Sequence, residues 1–452
     1  VGGQLEWPVH TWSSATGIDE NNRPAALIGV LQTLLASQEP GLWVLFDADH
    51  HALDPRTLRA ARELSHKQTG PVAIVVGQQP GPIAALPEVV HEHLPLPDPE
   101  ALAGLVATLA DRLDPPLSDQ LDACEGSLAE AGLGLTTSGF KRLLREALLA
   151  GKSDDLVAWV RANKHAYLSG NNLLEQPSPV LPSHLGGLAT YKTWLQRRAG
   201  ALEPAARAAG IPPPRGVLLI GVQGCGKSLA ARASASLLDL PLFRLDPGRL
   251  FGSTVGASER NLRQALQDAE RCAPMVLWID EIDKSLAGSQ GAKSDAGTTS
   301  RVVSSLLTWL QERTRPVFVV MTANDIKELP PELIRRGRLD ELFFVDLPGP
   351  KARRDILHVH LIVTPRDNLG HVPPLADDPE AFMALAEAAE GYSGAELEAA
   401  LVEARLDAYT DNRPMAASDF QRSLAACVPL SRTRAESVQV LRRWADGRAR
   451  RA

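Results

Sequence analysis

Short unbroken apolar runs alternate along this chain with longer stretches in which apolar residues recur every three or four positions. Leu42-Trp-Val-Leu-Phe46 and Val72-Ala-Ile-Val-Val76 are runs bounded by Gly, Pro and Asp. Such runs read as strands buried in a parallel sheet, with a helical pattern over 56–67 between them. A third strand is predicted through Val89–Leu94, ahead of the Pro-rich break at 95–99. From about 117 to 176 Ala and Leu recur at helical spacing, with glycine stops at 132, 134 and 151. Pro177-Ser-Pro-Val-Leu-Pro182 then reads as a linker, because proline ends helices and extends the chain.

The strongest alternation begins at 184. A helix over about 188–209 stops at Ile211-Pro-Pro-Pro214. Strand 216–221, helix 227–238, strand 242–245, helix 258–272, strand 275–280, helix 299–313 and strands 317–321 and 342–345 follow. This order predicts an α/β fold, a parallel sheet covered on both faces. After Pro348 the pattern is helical to about 427. The predicted organisation is an N-terminal α/β domain (1–116), a helical connector and linker (117–183), a large α/β subdomain (184–348), a helical lid (349–427) and an Arg-rich helix or tail (428–452). The most loop-like segment is 284–299.

Composition adds constraints. A chain of 452 residues accommodates roughly three domains. The net charge of −7 excludes a chain-wide basic surface for nucleic acid, and 5% aromatics argues against a base-stacking platform. The charge is uneven. Residues 1–119 carry six Lys/Arg against fifteen Asp/Glu, whereas 428–452 carry seven Arg against two acids. Cys124, Cys225, Cys272 and Cys427 are scattered without a CxxC pair, which excludes a disulfide scaffold or zinc knuckle and predicts a reducing cytoplasm. No apolar run approaches the roughly 20 residues of a membrane span, so no membrane partner is expected. The chain opens on Val1 rather than Met, without a signal-peptide pattern.

Gly221-Val-Gln-Gly224-Cys225-Gly226-Lys227-Ser228 fits G-x-x-x-x-G-K-[ST] between a predicted strand and a predicted helix. Glycines let the backbone curl so that several N–H groups face phosphate oxygens, and the helix N-terminus adds positive potential. In this pattern Lys227 reaches the β/γ-phosphates, the Ser228 hydroxyl ligates Mg²⁺, and Leu229 comes next as a further contact. Met275-Val-Leu-Trp-Ile-Asp280-Glu281 ends an apolar strand in two carboxylates on opposite faces. Asp280 suits the metal and Glu281 the attacking water. In isolation the pair would also serve as a helix cap. Asn324, after strand 317–321, is a turn residue or an amide that positions water beside a γ-phosphate. Arg335, Arg336 and Arg338 lie in a short turn, solvated or offered as fingers to a neighbouring subunit.

The spacing of Gly221–Ser228, Asp280-Glu281, Asn324 and Arg335/Arg338, with Gly391-Tyr-Ser-Gly394-Ala395-Glu in the lid, resembles the AAA family of the AAA+ ATPases over residues 184–427. The resemblance implies a P-loop NTPase core with a C-terminal helical lid, ATP and Mg²⁺ as cofactors, and a homo-oligomeric ring, usually a hexamer. It gives Asn324 the sensor role and Arg335 and Arg338 the trans-acting finger roles. Gly186 and Gly187 would meet the adenine through their backbone, and Gly394 and Ala395 the base and ribose. The whole chain is more closely similar to AAA proteins encoded on red-algal plastid genomes and in cyanobacteria, through its acidic N-terminal region, its connector and Glu332–Pro348.

One departure bears on mechanism. Protein-threading AAA rings carry an aromatic residue just before Val-Gly in the first pore loop. Here Thr254 holds that position, with Phe251 three residues earlier. Threonine offers little apolar area for gripping a peptide. The expected function is therefore an ATPase that remodels or regulates an unidentified protein client recognised by the acidic N-terminal unit. The alternatives are an ATP-gated scaffold and, against the charge, a nucleic-acid motor. Asp47 and Asp49 end a strand without a preceding phosphate loop, and a degenerate nucleotide-type fold is expected there. His91/His93 and His358/His360 are H-x-H pairs lacking a third ligand nearby and read as surface or core histidines. The position of Cys225 in the phosphate loop raises the idea of a low-pKa thiol, although a tolerated small residue is the simpler reading.

Overall fold

A computed structural model of the chain describes residues 7–19, 25–52, 54–77, 81–90, 96–151, 155–167, 173–202, 204–246, 257–287, 296–327, 329–335, 337–364 and 379–452. Contacts divide it into two units, Val1–Pro95 and Leu96–Ala452.

In the first unit β1 (Val9–Ser13), β2 (Gly17–Ile18), α1 (Leu27–Ala36), β3 (Leu42–Phe46), α2 (Pro55–Ser65) and β4 (Val72–Val76) build a sheet of order β2-β1-β3-β4. β1, β3 and β4 are parallel and β2 is antiparallel. Sequential parallel strands with right-handed crossovers put both helices on one face, where Leu31, Leu34, Leu45 and Ala60 form the core. Helix α2 starts cleanly because the Asp54 carboxylate accepts the N–H groups of Arg56 and Thr57, with Pro55 in the first turn. The other sheet face leaves Phe46 (42% exposed), Val72 (46%) and Ile74 (42%) open. The two apolar runs are thus parallel strands but are buried on one side only, which corrects the reading of fully buried strands. β1 carried too weak a pattern to be read. Val89 and Val90 are in no strand, and His91 and His93 lie outside the described residues.

The second unit opens with α3 (Pro99–Ala110), α4 (Leu117–Gly132), α5 (Thr137–Leu149) and α6 (Leu156–Asn163). Leu102, Val106 and Ala110 of α3 are buried with Leu121, Leu128, Phe140 and Val160. That packing moves the first boundary from 116 to 95. It also divides the acidic excess, because residues 1–95 hold five Lys/Arg against ten Asp/Glu, and the rest of the excess belongs to the helical bundle. Lys164 ties this bundle to the strand region of the same unit. Its buried ammonium donates to the Ala273 carbonyl (3.2 Å), and burial lowers its pKa to about 8.

The rest of the second unit is built on a seven-stranded sheet. β5 (Leu174–Glu175) precedes α7 (Ala189–Ala199), β6 (Gly216–Gly221), α8 (Lys227–Leu238), β7 (Leu242–Leu245), α9 (Ala257–Cys272), β8 (Met275–Ile279), α10 (Ile282–Ala287), α11 (Ala296–Glu312), β9 (Val317–Ala323) and β10 (Glu341–Val345). Then come the lid helices α12 (Pro350–His358), α13 (Pro379–Ala388), α14 (Gly394–Thr410) and α15 (Ala417–Ala426), and finally α16 (Ala435–Ala445) and β11 (Arg450–Arg451). The strand order is β11-β10-β6-β9-β8-β7-β5, parallel from β11 to β7. The period of two along β6 supplies both faces: Leu218 and Ile220 pack with α9 and α11, while Val217 and Leu219 pack against Tyr191 and Trp194 of α7 and against α8.

Both sheet edges come from segments that the sequence put outside the core. β5, in the connector, pairs antiparallel with β7, and β11, in the Arg-rich tail, pairs with β10. The helix expected over 188–209 is broken: α7 stops at Ala199, and a 3-10 turn (Gly200–Leu202) and a short helix (Pro204–Ala208) come after it. The lid closes over Leu357, Leu385, Leu401 and Phe420, with buried Asp419 accepting both ends of the Arg413 guanidinium (2.6 and 2.8 Å).

Candidate functional site

Strand β6 ends at Gly221, at φ 153°, where a Cβ would meet the Val345 carbonyl oxygen at 2.0 Å. Only glycine fits so close to the neighbouring strand, and the chain leaves the sheet there. The loop re-enters helix α8 at Lys227 with Gly226 as its left-handed cap. A cavity of about 490 Å³ opens above this helix N-terminus, at the carboxyl ends of the parallel strands. Gly224, Cys225, Gly226, Lys227, Ser228 and Leu229 line it from the loop, and Glu281, Thr322 and Asn324 line it from the ends of β8 and β9. The lid adds Gly394 and Ala395, and the segment before α7 adds His184, Leu185 and Gly186. The Ala395 N–H donates to the Gly224 carbonyl (2.9 Å), which docks the lid helix on the loop itself.

Within this cavity the charged side chains are already ordered by the protein. The Lys227 ammonium is buried and donates to the carbonyls of Gly221 (2.9 Å) and Val222 (2.8 Å). Burial lowers its pKa to about 8, against the opposing pull of Asp283, Asp280 and Glu281. Ser228 Oγ donates to Asp280 Oδ1 (2.9 Å), and Thr322 Oγ1 donates to the same oxygen (2.6 Å). Thr322 Oγ1 also accepts the backbone N–H of Glu281 (2.8 Å). Glu281 itself has φ 48°, a left-handed conformation that costs a non-glycine residue on the order of 1 kcal/mol. Its Oε1 accepts from Asn324 Nδ2 (3.0 Å) and its Oε2 from Lys284 Nζ (2.7 Å). Asp283 Oδ2 accepts the N–H groups of Asn324 (3.0 Å) and Asp325 (2.9 Å), which fixes the end of β9 against the start of α10.

The family described as "ATPase family associated with various cellular activities (AAA)" matches residues 217–347. The chain is 35% identical to the AAA domain-containing protein ycf46 of Guillardia theta, over 97% of this chain and 87% of that protein. This chain belongs to the AAA family. The ycf46 protein of Trieres chinensis is 34% identical over the whole chain and 91% of its own length. A cell division cycle protein 48 homolog of Archaeoglobus fulgidus is 40% identical over 200 residues, 44% of this chain and 26% of that protein. The ycf46 likeness therefore runs through the N-terminal unit and the helical bundle as well as the AAA core.

Against this AAA frame, most of the residues singled out from sequence converge on one cavity. Gly187 and Gly221 do not line it, although the Gly221 carbonyl holds Lys227. Asp280 does not line it either and is joined to it by the Ser228 and Thr322 hydroxyls. Arg335 and Arg338 lie elsewhere. Their turn is tied to the opposite end of β6, where Asp340 accepts the N–H groups of Arg215 (2.7 Å) and Gly216 (2.9 Å) and Arg338 donates to the Glu332 carbonyl. Arg336, Phe251 and Thr254 lie outside the described residues. The Cys225 thiol is pushed up to about 12 by burial, so the low-pKa idea is corrected. Three neighbours were missed. Thr322 is the penultimate residue of β9, and its role follows only from β9 lying beside β8. Lys284 sits one helical turn from Glu281. His360, read as a surface or core residue, lines the cavity in a π-helical turn (Val359–Val363), four residues after Ile356, and burial lowers its pKa.

Proposed function

We propose that this AAA protein is a Mg²⁺-dependent ATP hydrolase that assembles as a ring, in its commonest form a hexamer, and uses turnover to remodel or regulate a protein client. The observation that carries the reading is the convergence, over one phosphate loop, of Lys227, the Ser228–Asp280 pair and the Glu281–Asn324 pair. A hydroxyl and a carboxylate held 2.9 Å apart are hard oxygen donors, and this set fits Mg²⁺. Bound there, Mg²⁺ would neutralise charge on the β- and γ-phosphates.

The protein's own groups do the rest. Loop N–H groups and the α8 N-terminus cradle the phosphates, and Lys227 exchanges its two carbonyl partners for phosphate oxygens. Glu281 orients the attacking water, and Asn324 holds the Glu281 carboxylate in place. Gly186, Leu185 and His360 bound the end for the base. Arg335 and Arg338 sit by the start of β6 while the loop lies beyond its end, a separation of roughly 17 Å at 3.3 Å per residue. They are too far to serve their own loop, which supports their action on a neighbouring subunit and hence ring assembly.

A client-threading role is weakened by Thr254, and that observation favours a second reading, an ATP-gated scaffold whose ring is ordered by binding and reset by hydrolysis. Four unpaired cysteines support a reducing compartment. Among the described residues no helix is long and apolar enough to cross a membrane. Glu281→Gln keeps ATP binding and loses turnover by two or more orders of magnitude, roughly the size of a lost general-base contribution. Phosphate release and binding of a fluorescent ATP analogue measure the two effects, and a wild-type rate would sink the assignment. A pull-down with the ATP-locked E281Q form identifies the client.

A further inference from the structure

We propose that Lys284 is a positioning residue that restrains Glu281 in the resting site and sets the basal rate of hydrolysis. The inference rests on the ATP-hydrolase reading and concerns how the same carboxylate is controlled. Both oxygens of Glu281 are engaged by the protein: Oε1 by the Asn324 amide at 3.0 Å and Oε2 by the Lys284 ammonium at 2.7 Å. Asn324 is anchored through its backbone to Asp283, so that contact belongs to the rigid end of β9. Lys284 is different. It stands on the first turn of α10, three residues from Glu281, with its side chain 60% exposed beside a carboxylate that is 39% exposed.

Glu281 holds its left-handed backbone immediately before that turn, and position 284 supplies the cation that meets its Oε2. A carboxylate held by a charge-assisted bond to an ammonium turns less freely toward an attacking water. Loosening the Lys284 bond therefore leaves Glu281 freer to turn toward water at each turnover. Because the pair is exposed to solvent, it is weak and can open, so its effect is a several-fold brake and never an off state. Nothing in ATP binding requires Lys284, which does not line the cavity.

The test compares Lys284→Met, which keeps the apolar stem and removes the charge, with Lys284→Arg, which keeps the charge. For K284M, kcat rises about two- to fivefold, the rate equivalent of an exposed ion pair, while KM for ATP stays within about twofold. The affinity of a fluorescent ATP analogue, read without turnover, is unchanged by K284M. K284R, with its cation retained, stays slower than K284M. A K284M rate at or below wild type, or a K284R rate equal to that of K284M, overturns the inference. Glu281→Gln is run in parallel: if it is inactive, a negative K284M result removes the restraint and leaves ATP hydrolysis standing, whereas a fast E281Q removes the hydrolase reading on which the restraint depends.

Discussion

The ammonium of Lys227 is folded back onto its own loop, donating to Gly221 and Val222, and burial brings its pKa down to about 8. Phosphate oxygens favour the charged form, so nucleotide binding is linked to a proton on this group. Well below pH 8 the ammonium is charged and affinity is at its plateau. As pH rises through about 8 the free protein loses that proton, and affinity for ATP falls by up to about tenfold per further pH unit. Titration of a fluorescent ATP analogue between pH 7 and 9.5 reads this slope, and Lys227→Ala abolishes it; a pH-independent wild-type affinity would refute the linkage. Other residues of the site are legible only by their neighbours. Thr322 joins Asp280 to Glu281 through a single hydroxyl, and its importance comes from β8 and β9 lying side by side.

At the scale of elements, the Arg-rich tail changes meaning most. Its sequence reads only as an Arg-rich helix or tail set apart from the core. Helix α16 instead buries Val438, Leu441 and Ala445, and Leu441 and Ala445 enter the core under the sheet. Arg442 pairs with Asp346 at 2.9 Å, Arg434 reaches Gln223 of the phosphate loop at 3.2 Å, and β11 closes the β10 edge. Upstream, the Leu430 N–H donates to Glu396 at the start of lid helix α14 (2.8 Å), so the segment straps the lid to the sheet beside the loop. Leu441→Ala removes a buried side chain from that strap and costs roughly 2–4 kcal/mol. Calorimetry then shows a Tm lower by several degrees in the AAA unit, and an unchanged Tm would mean that the strap does not contribute to its stability. The helices and central strands of the sheet were readable within a few residues because their periodicities are long. The two-residue strands β5 and β11 carry no pattern of their own; backbone pairing with an existing edge defines them.

For the whole molecule, the distance between the arginine turn and the phosphate loop of one chain is the basis of the proposed shared site, and it can be tested by mixing variants. A subunit carrying Arg338→Ala supplies a sound Glu281, and one carrying Glu281→Gln supplies a sound arginine. Each variant alone loses most turnover, and mixing them restores a part of it, roughly a quarter of wild type if interfaces form at random between equal amounts and each site needs only its own glutamate and its neighbour's arginine. Phosphate release across mixing ratios measures the recovery. No recovery, with both variants still assembling, would show that Arg338 does not act in trans.

The sequence by itself determined the AAA core: a glycine loop, two carboxylates, an amide and a lid motif have fixed spacings because each must end a particular strand or begin a particular helix. It also determined that the N-terminal unit would be a small parallel α/β fold. The tertiary structure alone decided which groups touch. It assigned α3 to the helical bundle, because Leu102 and Val106 find their apolar partners there. It left one face of the first sheet open, because sequential crossovers stack both helices on the other. It brought His360, Thr322 and Lys284 to the site, because side chains far apart or unremarkable along the chain meet only when strands pair and the lid folds over the loop.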